Sequence, residues 1–140
     1  MRIVKHQKTG KFLALKTLKK NEIIRLKQVE HILSEKAILA EVDHPFIIQL
    51  VATFKDEQRL FMVLEYCAGG ELFSLLQKER KLDEPASAFY GASVMLAFEY
   101  LHNHNVVYRD LKPENVLVDT RGYVKIIDFG FAKKVVHRTY

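Results

Sequence analysis

Tyr108-Arg109-Asp110-Leu111-Lys112-Pro113-Glu114-Asn115, followed by Asp128-Phe129-Gly130, is the stretch on which the reading of this 140-residue chain turns. It sets an aspartate, a lysine and an asparagine in one loop and a second aspartate thirteen residues beyond the asparagine. Either string alone could be a polar loop with a turn aspartate and a stop glycine. The two in this order suit phosphoryl transfer, which asks a protein for positioning, charge neutralisation and one group to take a hydroxyl proton. Mg2+ prefers oxygen ligands and keeps part of its water shell, so one aspartate and one asparagine suffice beside phosphate oxygens.

Working outward, residues 116–118 and 124–127 read as short strands split by the turn Thr120-Arg121-Gly122. Upstream, Glu84-Pro85 opens a long helix to about Asn103, since proline is accepted in a first turn. Its aromatics Phe89, Tyr90, Phe98 and Tyr100 are read as core. A short helix covers 71–77. Apolar runs at 47–54 and 60–66, parted by Lys55-Asp56-Glu57-Gln58, read as an antiparallel hairpin. A helix over 28–42 carries Val29, Ile32, Leu33, Leu39 and Val42 at three- and four-residue steps, and His44-Pro45 stops it. Asn21 is placed as the cap of a short preceding helix. Residues 2–6 and 12–18 form a first hairpin about Thr9-Gly10. The class is α+β: a sheet-rich lobe joined to a helical one by residues 65–70.

Composition narrows the function classes. Net charge is +5, with lysines concentrated near the N-terminus, and no nucleic-acid-reading element accompanies them. The single cysteine, Cys67, cannot form an internal disulfide or a cysteine zinc cage, which fits a reducing compartment. Met1-Arg2-Ile3-Val4-Lys5-His6 has no apolar stretch of a signal peptide, and no run reaches membrane-span length. These features give the expectation of a cytoplasmic or nuclear protein that engages neither nucleic acid nor membrane.

Lys16 ends an apolar strand and alone would be an ordinary edge lysine. Glu35 stands at helical spacing from Leu39 and can share its inward side. Together with the loop, these residues resemble the protein kinase family. The Tyr at 108, where His is commoner, and the run Asp128-Phe129-Gly130-Phe131-Ala132-Lys133-Lys134 resemble the AGC group, in its cAMP- and cGMP-dependent branch. His44-Pro45-Phe46-Ile47 and Gly69-Gly70-Glu71-Leu72-Phe73 carry the same likeness.

The resemblance implies ATP and Mg2+ as cofactors and assigns roles residue by residue. Asp110 takes the acceptor proton, Lys112 contacts the γ-phosphate, and Asn115 and Asp128 hold the metal. Lys16 holds the α- and β-phosphates and is itself held by Glu35. Backbone groups of Glu65 and Cys67 meet the adenine edge, with Leu64 behind it and Ala14 and Leu117 on its two faces. Glu71 meets the ribose and, with Glu114, basic residues of a protein substrate. Leu39, Leu50, Tyr108 and Phe129 stack as a buried link between the lobes, and Arg109 pairs with a phosphothreonine. Lys112, two residues after Asp110, implies Ser/Thr acceptors, and the branch implies a cyclic-nucleotide-binding regulatory domain or subunit.

The resemblance also implies a domain cut short at both ends: an N-lobe portion (1–64), a hinge (65–70) and the start of a C-lobe (71–140). No Gly-x-Gly-x-x-Gly string occurs, and the chain stops at Arg138-Thr139-Tyr140, within the family's activation segment. The expectation is that the long helix exposes apolar surface and that the isolated chain is poorly soluble with little activity. A non-catalytic nucleotide-binding or docking fragment is the alternative reading.

Overall fold

The computed structural model describes residues 1–135, so Arg138, Thr139 and Tyr140 lie outside the described residues. The elements are β1 (Arg2–Lys5), β2 (Phe12–Lys19), α1 (Lys20–Arg25), α2 (Val29–Glu41), β3 (Leu50–Lys55) and β4 (Arg59–Glu65). After the hinge come α3 (Leu72–Glu79), α4 (Glu84–Asn103), β5 (Val106–Val107), a 3-10 turn at Pro113–Asn115, β6 (Val116–Val118), β7 (Val124–Ile126) and β8 (Lys133–Lys134).

The first four strands form one antiparallel sheet in the order β1-β2-β4-β3. Ala14 pairs with Leu64 and Lys16 with Met62, so alternation puts these four side chains on one face. Met62 and Leu64 are buried there. The first hairpin turns where Gly10, at φ +70°, donates its amide to the His6 carbonyl at 2.8 Å.

Several expectations from the sequence need correction. Asn21 does not cap α1: β2 stays paired with β4 as far as Lys19, so the helix begins directly at Lys20 and Asn21 lies inside it. The apolar residues of α2 occupy two faces. Leu39 and Val42 join buried Glu35 and Ile38 in the core, whereas Val29 and Leu33 are exposed. The strand expected from residue 47 begins at Leu50, because Ile47 and Ile48 pair with β7 instead. The Ile48 amide donates to the Ile126 carbonyl at 3.0 Å, and the Ile126 amide to the Phe46 carbonyl at 2.8 Å. Phe46 to Ile48 thereby ties the upper lobe to the lower one.

α4 starts and ends as the sequence indicates. Asp83 caps it, its Oδ1 accepting the Ala86 amide at 2.9 Å, and Pro85 sits in the first turn. Its buried residues are Ser93, Ala97 and Leu101, four apart on one stripe. Phe98, Tyr90 and Tyr100 are half-buried. Phe89 is not core: it is exposed, as are Met95 and Leu96, because a single packed stripe cannot cover a helix that is apolar on several sides. No helix among the described residues is long and apolar enough to cross a membrane.

One continuous core runs from Ile38 and Leu39 through Ile47, Met62 and Leu64 to Leu101, Tyr108, Ile126 and Phe129. Leu39, Tyr108 and Phe129 are buried as expected; Leu50 is only half-buried at its edge. The hinge is held close to β6: the Val118 amide donates to the Gly70 carbonyl at 2.8 Å. A Cβ on Gly69 would fall 2.3 Å from the Val118 carbonyl oxygen, which belongs to backbone and cannot swing away. Gly69→Ala should therefore lower stability by about 1–3 kcal/mol, read as a lower urea midpoint at unchanged slope. An unchanged midpoint would show that the hinge does not hold this approach.

Candidate active site

The two lobes enclose a cleft of about 410 Å3. Ala14 and Lys16 of β2 line it from above and Leu117 of β6 from below. Leu64, Glu65 and Cys67 form its rear and hinge side, and Glu35 and Asp128 stand at its polar end. The sequence reading had no signal for Met1, Arg2 and Ile3, which also reach it, or for Ile48 and Ile127. Arg2 and Ile3 belong to β1, an edge strand that the sequence pairs with β2 as a hairpin without showing that its start, with Met1 before it, overhangs the cleft.

Lys16 and Glu35 come together from β2 and α2. The Lys16 ammonium donates to both Glu35 oxygens, at 2.7 and 2.8 Å. The glutamate side chain is 3% exposed and the lysine 25%. The carboxylate is thus taken from water while the ammonium keeps one side toward the cleft, where it can meet an anion.

Cys67 is buried at the hinge. Burial, and then the nearby Glu65 charge, pushes its thiol up to about 11. It is a neutral thiol at physiological pH, and only the thiolate is nucleophilic. Iodoacetamide at pH 7.5 should label the folded protein much more slowly than the urea-unfolded one; equal rates would mean that the hinge does not shield it.

Below the cleft, Asp110 is gripped from two sides. Lys112 Nζ donates to its Oδ2 at 2.9 Å and its Oδ1 at 3.1 Å. Asn115 Nδ2 donates to Oδ2 at 2.8 Å and to the Asp110 carbonyl at 3.0 Å. The hydrogen bond from Lys112, ahead of that from Asn115, holds the Asp110 carboxyl below the ordinary carboxylate range. The tight turn comes from Pro113, with the Asn115 amide closing onto the Lys112 carbonyl at 2.9 Å.

Tyr108 explains how this loop meets the next. Its hydroxyl donates to the Ile127 carbonyl, and its ring meets that of Phe129 edge-on at 5.1 Å. Burial, then the Asp128 charge, raises the phenol above its usual range, so it remains a donor. The Ile127 amide donates to the Asn115 carbonyl at 2.9 Å, which brings Asp128 alongside Asn115. Arg109 and Asp128 both have positive φ, 67° and 61°. Such backbone costs on the order of 1–3 kcal/mol per residue and gathers at functional sites. Arg109 Nε donates to the Phe131 carbonyl at 2.8 Å, tying the loop to the segment after Gly130.

The residues present suit Mg2+. The Asp128 carboxylate is exposed, and among the described residues only the Gly130 amide donates to it, at 3.3 Å. Asn115 spends its amide hydrogens on Asp110, which leaves its amide oxygen as a hard ligand. Glu71 and Glu114 are exposed and lie outside the cleft lining; Glu71 heads α3, and Glu114 sits in the 3-10 turn packed against that helix.

A family model described as a protein kinase domain matches residues 1–140. The chain is 54% identical over 138 residues to cAMP-dependent protein kinase type 3 of Saccharomyces cerevisiae, covering 99% of this chain and 35% of the yeast protein. It is 49% identical over 138 residues to the cAMP-dependent protein kinase catalytic subunit of Dictyostelium discoideum, covering 99% and 21% respectively. To the cGMP-dependent protein kinase, isozyme 2 forms cD5/T2, of Drosophila melanogaster it is 49% identical over 127 residues, covering 91% and 14%. The chain thus spans about a third or less of the length of these relatives. With a cleft, a lysine–glutamate pair and a gripped aspartate of this geometry, and with a match along its whole length, the chain belongs to the protein kinase domain family.

Proposed function

We propose that this chain supplies the nucleotide cleft and catalytic loop of a serine/threonine protein kinase that transfers the γ-phosphoryl group of ATP to a substrate hydroxyl. The observation that carries the reading is Asp110. Its carboxylate is held by Lys112 and Asn115, beside a cleft where Lys16 is aimed by Glu35. In the transfer, the acceptor oxygen forms a bond to phosphorus, the bond from phosphorus to the bridging oxygen breaks, ADP leaves and Asp110 takes the hydroxyl proton. Lys16 neutralises phosphate charge on the cleft side and Lys112 on the loop side. Asn115 and Asp128 would hold Mg2+, which supplies further neutralisation of phosphate oxygens.

Glu71 and Glu114 support a preference for basic residues near the acceptor, since both are exposed carboxylates on neighbouring elements. The names of the relatives support control by a cyclic-nucleotide-binding domain or subunit. The reading places the protein in the cytoplasm or nucleus.

The test is label transfer from γ-labelled ATP with Mg2+ to an arginine-rich serine peptide. Transfer is expected from the full-length protein that carries this chain and not from its Asp110→Asn variant, while the isolated chain is expected to show little. Nucleotide binding without transfer by the full-length protein would instead favour a non-catalytic nucleotide-binding protein.

A pH prediction follows from Lys112. Because it lowers the Asp110 pKa, the ionised base persists as pH falls through the ordinary carboxylate range. Lys112→Ala should move the acid limb of kcat to higher pH, alongside any loss of rate. An acid limb that stays in place would show that Lys112 does not hold the base ionised.

A further inference from the structure

Glu65 ends β4 and forms a wall shared by two cavities, the nucleotide cleft and a second of about 270 Å3 behind it. Its carboxylate receives Lys125 Nζ at 2.9 Å and the Gln49 amide at 3.4 Å, while its own amide donates to the Gln49 carbonyl at 2.9 Å. Lys125 comes from β7, directly across from Leu117, the floor of the cleft. The Lys125 side chain is 12% exposed and that of Glu65 33%, so a part-buried ion pair joins the cleft floor to the hinge. An ion pair withdrawn from water adds little net stability, and its best-attested use is to fix register. Among the described residues, the other basic group lining this cavity is His44, which is pushed toward the neutral form by burial and then by Lys125, against an opposing pull from Asp43.

We propose that Lys125 is a positioning residue for adenine recognition: through Glu65 it sets the hinge backbone at a fixed height above Leu117, so that the backbone groups of Glu65 and Cys67 meet the purine edge. The inference rests on the nucleotide reading above and extends it to a residue that touches no nucleotide. The pair links one lobe's last strand to the other lobe's floor. Removing the charge would free the hinge to shift against the floor, which loosens hydrogen bonds to the base but leaves the Lys16–Glu35 pair, on other elements, in place.

The experiment titrates fluorescent ATP, adenosine and GTP against the wild type, Lys125→Met, Lys125→Arg and Lys16→Met. Lys125→Met is expected to weaken ATP and adenosine alike, by about three- to tenfold, and to narrow the preference for ATP over GTP. Lys125→Arg is expected to restore both. Lys16→Met should weaken ATP while sparing adenosine. The proposal is overturned if Lys125→Met binds like the wild type, if it weakens ATP but not adenosine, or if arginine fails to restore base selectivity. Should Lys125→Met fail to fold, Glu65→Gln keeps the shape without the charge and carries the same expectation. Because binding is read rather than turnover, a full-length protein that binds adenosine but transfers no phosphoryl group sinks the kinase reading and leaves this one standing. A wild type that binds no adenosine sinks both.

Discussion

Asp110→Ala should lower kcat by about 10^2–10^4-fold, the usual contribution of a positioned general base, equivalent to about 3–5 kcal/mol of barrier, with little change in the melting temperature. The two halves of that expectation have separate causes. The rate falls because the other carboxylate of the loop, Glu114, is exposed and is not placed by the Lys112 and Asn115 hydrogen bonds that hold Asp110 to accept the hydroxyl proton. The fold survives because both partners of Asp110 have somewhere to go. Lys112 is about half-exposed and returns to water. Asn115 is buried but keeps its bond to the carbonyl of residue 110, which the substitution does not remove. Nucleotide affinity should also hold, since Asp110 does not line the cleft. A kcat within threefold of wild type would remove Asp110 from the mechanism. A collapse in melting temperature would mean that the loop is a structural staple rather than a device for handling protons.

The contrast between Asp110 and Lys125 shows what could be read from sequence. The loop around Asp110 is local: turn chemistry at Pro113 and spacing within eight residues determine which groups meet. α4 was legible for the same reason, with proline at its start and a long uninterrupted apolar pattern behind it. Lys16 and Glu35 lie farther apart, yet a lysine closing an apolar strand and a glutamate in register with a core leucine gave each a place, and family resemblance joined them.

Legibility ended where a partner lay far along the chain and left no local mark. Ile47 and Ile48 look like more strand because they are apolar, and only β7 decides that they leave the sheet. The two faces of α2 could not be told apart by periodicity, since its buried face includes a charged residue, Glu35, and its exposed face carries Val29 and Leu33. The pairing of β5 with β8 involves two residues on each strand, too few for any alternation to show. Lys125 read as an unremarked lysine in a short strand; its meaning lies in Glu65, sixty residues upstream.

Lys16→Met tests whether the lysine–glutamate pair serves chemistry or folding, and the two outcomes can be separated. The substitution leaves the Glu35 carboxylate, 3% exposed, without its counter-ion. Breaking a buried pair from one side costs about 3–5 kcal/mol; because Lys16 keeps a quarter of its side chain in water, the expectation here is about 2–4 kcal/mol, a large share of a typical domain's stability. Glu35→Gln should cost less, since the lysine left behind can turn toward the open cleft. Lys16→Met combined with Glu35→Leu removes both charges and should recover much of the lost stability, giving a favourable coupling in the double-mutant cycle. Phosphoryl transfer should not recover with it. Lys16→Met alone should lower kcat/KM for ATP by about 10^2–10^3-fold, the scale of losing one preorganised charge beside the reacting group. The double variant should remain as inactive because nothing in it faces the phosphates. Urea midpoints and initial rates measured on the same four proteins decide the matter. If activity returns in step with stability, Lys16 acts only by neutralising Glu35. If stability returns and activity does not, the ammonium itself is the part of the pair that the cleft uses, and Glu35 is there to aim it.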